Sequence, residues 1–151
     1  MSTIRILFLA VAVAVVAALG AGPAVATGRP WLTPAEIYAN LAGKAIEGRY
    51  ASGRTFTERY LSNGQIEYVE NGRTLGGHWS VMSGTLCTIY DGDPTGGCFR
   101  VARTGDNCFE FYFVTRTEDA APGAADVQPF WTARGVIEGS AAPGCRDGAD
   151  V

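Results

Sequence analysis

Residues 77–91 read Gly-His-Trp-Ser-Val-Met-Ser-Gly-Thr-Leu-Cys-Thr-Ile-Tyr-Asp, and the pairing of this stretch with itself decides the fold. Ser83-Gly84 is a tight-turn signal between two alternating runs. Closing that turn sets Met82 opposite Thr85 and Val81 opposite Leu86. If Cys87 faces Cys98 across the next hairpin, Leu86 lies opposite Phe99. A turn around Thr104 to Asn107 then brings Val101 toward Phe109. On this register Trp79, Val81, Leu86, Phe99, Val101, Phe109, Phe111 and Phe113 share one face. His78, Ser80, Cys87, Cys98, Arg100, Cys108, Glu110 and Tyr112 take the other.

Turn signals recur on both sides of this stretch, at Ala51-Ser52-Gly53, Ser62-Asn63-Gly64, Asn71-Gly72 and Asp91 to Gly97. Their spacing is that of an antiparallel meander. Asn63-Gly64 and Asn71-Gly72 both read as two-residue hairpin turns. Strands are expected near 44–50, 54–62, 65–70, 77–82, 85–91, 97–103, 108–115 and 129–138. A twisted sheet of seven or eight strands with one apolar face must close or be covered. The expected fold is therefore mainly β: a small antiparallel up-and-down β-barrel, a lipocalin-like meander, with one short N-terminal helix plugging or flanking one end.

That helix begins at Thr33-Pro34-Ala35-Glu36. Thr33 caps it, Pro34 suits the first helical position, and Glu36 reaches back to complete a capping box. Ile37, Tyr38 and Leu41 fall at helical spacing before Gly43 stops the element. Toward the other end, residues 115–127 are polar, Ala-rich and carry Pro122, which reads as a flexible loop. The tail after Glu138 is polar enough to fray unless Cys145 ties it down.

The first 26 residues read as a signal peptide: Arg5, fourteen apolar residues from Ile6 to Leu19, then Ala24-Val25-Ala26 as the cleavage site. The mature part, 27–151, is then expected to be a single domain bound for the periplasm or the exterior, without a membrane span. Its four cysteines then meet an oxidising environment. Four cysteines permit three pairings; Cys87 with Cys98 is favoured because the two can sit opposite one another on neighbouring strands, which would leave Cys108 with Cys145. No Cys-x-x-Cys occurs and there is one histidine, so a metal site is not expected. Without Arg5 the chain has 11 basic and 15 acidic residues, a net charge of −4. This balance disfavours nucleic acid as a partner.

Candidate chemistry is sparse. His78 is the only imidazole, and no Gly-x-Ser-x-Gly elbow accompanies it; it reads as a wall residue. Asp91-Gly92-Asp93 resembles the start of a calcium loop but lacks the distal glutamate; it reads as a turn. Glu58, Glu67 and Glu70 would suit a carboxylate pair, as would Glu110. Cross-strand pairing with Arg54, Arg59 and Arg73 is the preferred reading. No catalytic residue, cofactor or metal is assigned. Phe56, Tyr60, Tyr68, Trp79, Tyr90, Phe111, Phe113 and Trp131 either fill the barrel, as in most narrow barrels, or line an apolar cavity.

Leu32-Thr33-Pro34-Ala35-Glu36-Ile37, Leu41-Ala42-Gly43-Lys44, Gly77-His78-Trp79-Ser80-Val81, Leu86-Cys87 and Cys98-Phe99-Arg100-Val101 occur in this order. Over residues 32–115 the chain resembles a group of small exported β-rich proteins of proteobacteria. The resemblance implies a periplasmic or secreted domain and carries no catalytic residues. Small barrel inhibitors of secreted metalloproteases and periplasmic lysozyme inhibitors are similar in size, export and disulfide use, without a shared inhibitory motif. The expected function is non-enzymatic binding of a small apolar ligand or an exported protein partner, with inhibition of an exported hydrolase as the alternative.

Overall fold

The computed structural model describes residues 29, 31–92, 96–116 and 130–146. The leader, Asp93 and the loop expected at 115–127, apart from its first two residues, lie outside them. Among the described residues no helix is long and apolar enough to cross a membrane. After helix α1 (Pro34–Leu41), eight strands follow: β1 (Lys44–Tyr50), β2 (Thr55–Tyr60), β3 (Gln65–Glu70), β4 (Arg73–Met82), β5 (Thr85–Tyr90), β6 (Gly97–Gly105), β7 (Cys108–Arg116) and β8 (Ala133–Ile137). Each pairs antiparallel with the next, and β8 returns to β1, so the sheet is a closed barrel.

The turns explain the register. Asn71 and Gly72 both have positive φ, as do Ser83 and Gly84, the signature of the tightest hairpins. Asn71-Gly72 pairs Glu70 directly with Arg73, so β4 starts four residues before the expected 77. Ser62-Asn63-Gly64 corrects the reading of Asn63-Gly64 as a two-residue turn. It is a three-residue loop closed by Leu61 N donating to Gln65 O at 2.9 Å. There only Gly64 is left-handed, and Asn63 Oδ1 accepts from Gln65 N. The β6–β7 turn is also tighter than expected. With an irregularity between Arg103 and Gly105, Val101 lies opposite Phe111, and Phe109 opposite Arg103. The shift is even, so no side chain changes face. β8 starts at Ala133 rather than 129, and Phe130 before it is 76% exposed.

The inward face carries Ile46, Phe56, Tyr60, Ile66, Tyr68, Trp79, Leu86, Val101, Phe109, Phe111 and Ala133 as one packed cluster. Leu32, Ile37 and Leu41 join it, so α1 plugs the end where β1 begins. Its capping box is complete, with Thr33 N donating to Glu36 Oε2 at 2.8 Å and Glu36 N to Thr33 Oγ1 at 3.3 Å. Tyr38 is largely exposed but rests on Trp79, ring centroids 5.2 Å apart. At the β1–β8 seam Gly48 faces Gly135. A methyl on Gly48 would strike the Phe56 ring, and one on Gly135 would strike Ile46 and the Glu47 carbonyl. The bare backbone lets Phe56 and Ile46 lie against the wall.

Cys87, Cys98, Cys108, Glu110 and Tyr112 sit on the outward face as expected, yet all are buried. The chain ends pack against Tyr112 and Cys108. Trp31 bridges to Ala102, and its ring meets Tyr112 edge-on at 5.1 Å. Asn107 holds the other end, donating from its backbone N to Pro143 O and exchanging side-chain hydrogen bonds with Ile137. Both disulfides are present, Cys87–Cys98 and Cys108–Cys145. They fall beside the two shortest ladders: β5–β6 pairs only Leu86 with Phe99 and Cys87 with Cys98, and β7–β8 pairs three residues.

The Cys108–Cys145 bond closes a 37-residue separation. Loop-closure arithmetic assigns it about 4 kcal/mol. The double variant Cys108→Ala/Cys145→Ala is expected to lose a stability of that order in urea titrations while keeping its strand signal. A loss below about 1 kcal/mol would show that the tail is held by its hydrogen bonds alone.

Candidate functional site

The two ends of the barrel differ. At the α1 end, side chains fill the interior. At the other, where β1, β3, β5 and β7 finish, a cavity of about 400 Å³ opens between Tyr50, Tyr68, Leu75, Tyr90, Phe99 and Phe113. Thr88 and Thr132 complete the wall, and Arg54, Glu70, Asn71 and Arg73 form the rim. Strand alternation delivers the rings. Phe56-x-Glu58-x-Tyr60, Ile66-x-Tyr68, Leu86-x-Thr88-x-Tyr90 and Phe109-x-Phe111-x-Phe113 each place every second residue inward. The rings form a chain across four strands: Tyr50 to Phe56 at 4.6 Å, Phe56 to Tyr68 at 5.9 Å, Tyr68 to Tyr90 at 5.1 Å. Phe99 and Phe113 meet edge-on at 5.8 Å on the far wall. A broader groove of about 640 Å³ crosses the outside near β1, β2 and β8, but it is open, and Glu47, Arg49 and Thr55 share its lining with Val69, Val136 and glycine backbone.

Beneath the cavity lies a buried carboxyl group, and here the structure corrects the expectation. Glu58 does not pair with a surface arginine. It shares the inward parity of Phe56 and Tyr60 and is buried between β1 and β3, opposite Ile46 and Tyr68. Its two oxygens accept hydrogen bonds from Tyr60 Oη and Tyr90 Oη. No ion pair reaches it among the described residues. Burial raises its pKa, and the two phenols oppose that rise. Burial and the nearby carboxyl also push Tyr60 and Tyr90 up, so both stay protonated and able to donate. Closer to the mouth, Tyr50 Oη and Tyr68 Oη lie 2.9 Å apart.

The other acidic candidates do pair across strands. Glu70 lies 3.2 Å from Arg54, Glu67 lies 3.7 Å from Arg59, and Arg59 also reaches Glu138 at 3.8 Å. Glu110 is buried under the C-terminal tail, taking Arg134 at 2.7 Å and the Tyr112 hydroxyl at 2.7 Å. These carboxylates therefore do not converge on one point. His78 stands exposed on the outer wall opposite Gln65 and Ile89. Asp91 belongs to the turn after β5. Among the described residues no three His, Cys, Asp or Glu side chains gather as a metal site would require.

Of the eight aromatic candidates, Tyr68, Tyr90 and Phe113 line the cavity, while Phe56, Tyr60, Trp79 and Phe111 lie in the packed interior. Trp79 ties that interior to the β2–β3 loop, donating from Nε1 to Leu61 O at 2.9 Å. Trp131 departs from the expectation: it is half-buried outside the core cluster, with Arg134 4.7 Å from its ring centroid. Tyr50, Leu75 and Phe99 complete the pocket. Strand parity from Phe56 and Trp79 would have identified Tyr50 and Leu75. No protein-family model, no curated protein and no solved structure matches the chain.

Folding favours neutral Glu58. Its stabilising contribution is full below about pH 4.3, where free glutamate titrates, and is lost as pH rises through the higher folded-state value. The Glu58→Gln variant is expected to gain stability relative to wild type as pH increases through that window. Urea titrations at a series of pH values check the difference curve. A flat curve would mean that the pocket does not shift the titration of the carboxyl, and one of opposite slope that it favours the charged form.

Proposed function

We propose that the protein is an exported, non-enzymatic binding protein that takes a small amphipathic ligand into the open end of its barrel. The observation that carries this reading is the cavity of about 400 Å³, walled by five aromatic rings and closed below by packed side chains. That volume lies at the lower part of the usual range for small-molecule sites. Apolar walls with a few hydroxyls and rim charges suit a ligand with an apolar body and one polar group.

Several observations favour binding over catalysis. Glu58, below the cavity, spends both oxygens on phenols and lies behind Tyr90. Glu70 is engaged by Arg54, and the histidine faces away from the site. Export is supported by the leader pattern, by two disulfides, and by the likeness of residues 32–115 to small exported proteins of proteobacteria. The ligand reading is preferred over a protein partner because the walled cavity is concave and too small for a folded surface to enter.

The test uses an uncharged dye, Nile red, whose emission rises in apolar surroundings. Wild-type protein is expected to enhance it saturably. Leu75→Trp, which fills the mouth from a half-buried position, is expected to weaken binding about tenfold or more without lowering the melting temperature appreciably. Equal binding by both would place the dye elsewhere and remove the support for the cavity as the site.

A further inference from the structure

The class of ligand is written in the hydrogen-bond balance of the cavity, on the reading that this cavity is the binding site. Tyr90 has one hydroxyl hydrogen, and Glu58 takes it. Tyr50 and Tyr68 share a hydrogen bond that consumes one of their two hydrogens. What the phenols offer inward is therefore mostly oxygen lone pairs. Glu70 adds a carboxylate to the same lining. Its Oε1 is buried, and although Arg54 Nη1 lies 3.2 Å away, no donor hydrogen is directed at it. The faces of Tyr50, Tyr68, Tyr90, Phe99 and Phe113 add the negative side of the ring quadrupole.

Arg54 shows what such a lining attracts. Its guanidinium sits 5.3 Å from the Tyr50 ring centroid and reaches the Glu70 carboxylate, while the side chain stays 60% exposed. It is a tethered organic cation resting on the lip of the cavity. Arg73 on the same rim is exposed, so its charge is screened by solvent and salt rather than focused inward.

We propose that the mouth selects an organic cation, an amine or ammonium carried on an apolar body, which occupies the place between the Tyr50 ring and the Glu70 carboxylate that the Arg54 guanidinium now marks. Arg54 then competes with the ligand, and Glu70 supplies the countercharge. An anionic ligand of the same shape would meet the Glu70 carboxylate and few hydroxyl donors inside, with opposite charge only at the solvated rim.

The experiment is an NMR titration of isotope-labelled, oxidised protein with two probes of matched frame, 2-phenylethylammonium and 3-phenylpropanoate. The cation is expected to move the amides of Tyr50, Tyr68, Glu70 and Tyr90 at millimolar concentration, and the anion to bind at least about fivefold more weakly. Arg54→Ala is expected to strengthen cation binding several-fold, and Glu70→Gln to weaken it about tenfold and erase the discrimination. Thermal melts verify that both rim variants are folded. Anion binding equal to or tighter than cation binding, or cation binding indifferent to Glu70→Gln, would overturn the charge assignment and leave the cavity as a site. No shift from either probe, in wild type or in Arg54→Ala, would overturn both the charge assignment and the choice of the cavity.

Discussion

The pairing of β8 with β1 is the constraint from which the rest follows. Ile46 to Tyr50 run against Ile137 to Ala133, and this ladder alone turns a seven-hairpin meander into an enclosed volume. Without it the aromatic face would be one side of an open sheet, with two unpaired edges. Closure also imposes a local demand. Strands that curve around so small an interior bring rings against backbone, and the facing pair Gly48 and Gly135 provides the clearance that Phe56 and Ile46 use. The empty wall and the bulky neighbours are one arrangement.

Closure also separates two environments along the barrel axis. At one end α1 seals the interior with Ile37 and Leu41, both fully buried. At the other no element among the described residues fills the space between Tyr50 and Phe113. Between them sits Glu58, a polar residue at an inward position that hydrophobic packing alone would not select. Two phenols satisfy it, so its cost is smaller than that of a bare carboxyl in the same place. The group marks the level at which dense packing gives way to an accessible hollow.

Most of the fold was legible because strand parity is a strict rule. Once Ser83-Gly84 was paired, every inward residue from Trp79 to Phe113 followed, and the register error at the β6–β7 turn, being even, changed no face. Cys87 and Cys98 were legible for the same reason. What escaped the sequence arose from contacts between distant segments. Glu58 looked like a surface acid because Arg54 and Arg59 are its neighbours in the chain, although Phe56 and Tyr60 shared its parity. Burial of Glu110, Cys108 and Tyr112 on the outward face depends on Trp31 and on the tail beyond Glu138, neither of which carries a periodic signal. The cavity is a matter of residual volume, and the alternation of large and small residues that leaves it cannot be summed along one strand.

The placement of the two disulfides has a consequence for how the chain assembles. β2 to β5 are joined by loops of two or three residues, so their ladders form at small entropic cost. The β1–β8 ladder joins residues separated by most of the domain, and bringing them together is the expensive event. Cys87 and Cys98 join β5 to the adjacent β6 and lie 11 residues apart, whereas Cys145 reaches Cys108 from beyond β8. Oxidation is thereby ordered by topology: the first bond secures a hairpin early, and the second acts as a latch that snaps shut once the staves have met around their contents.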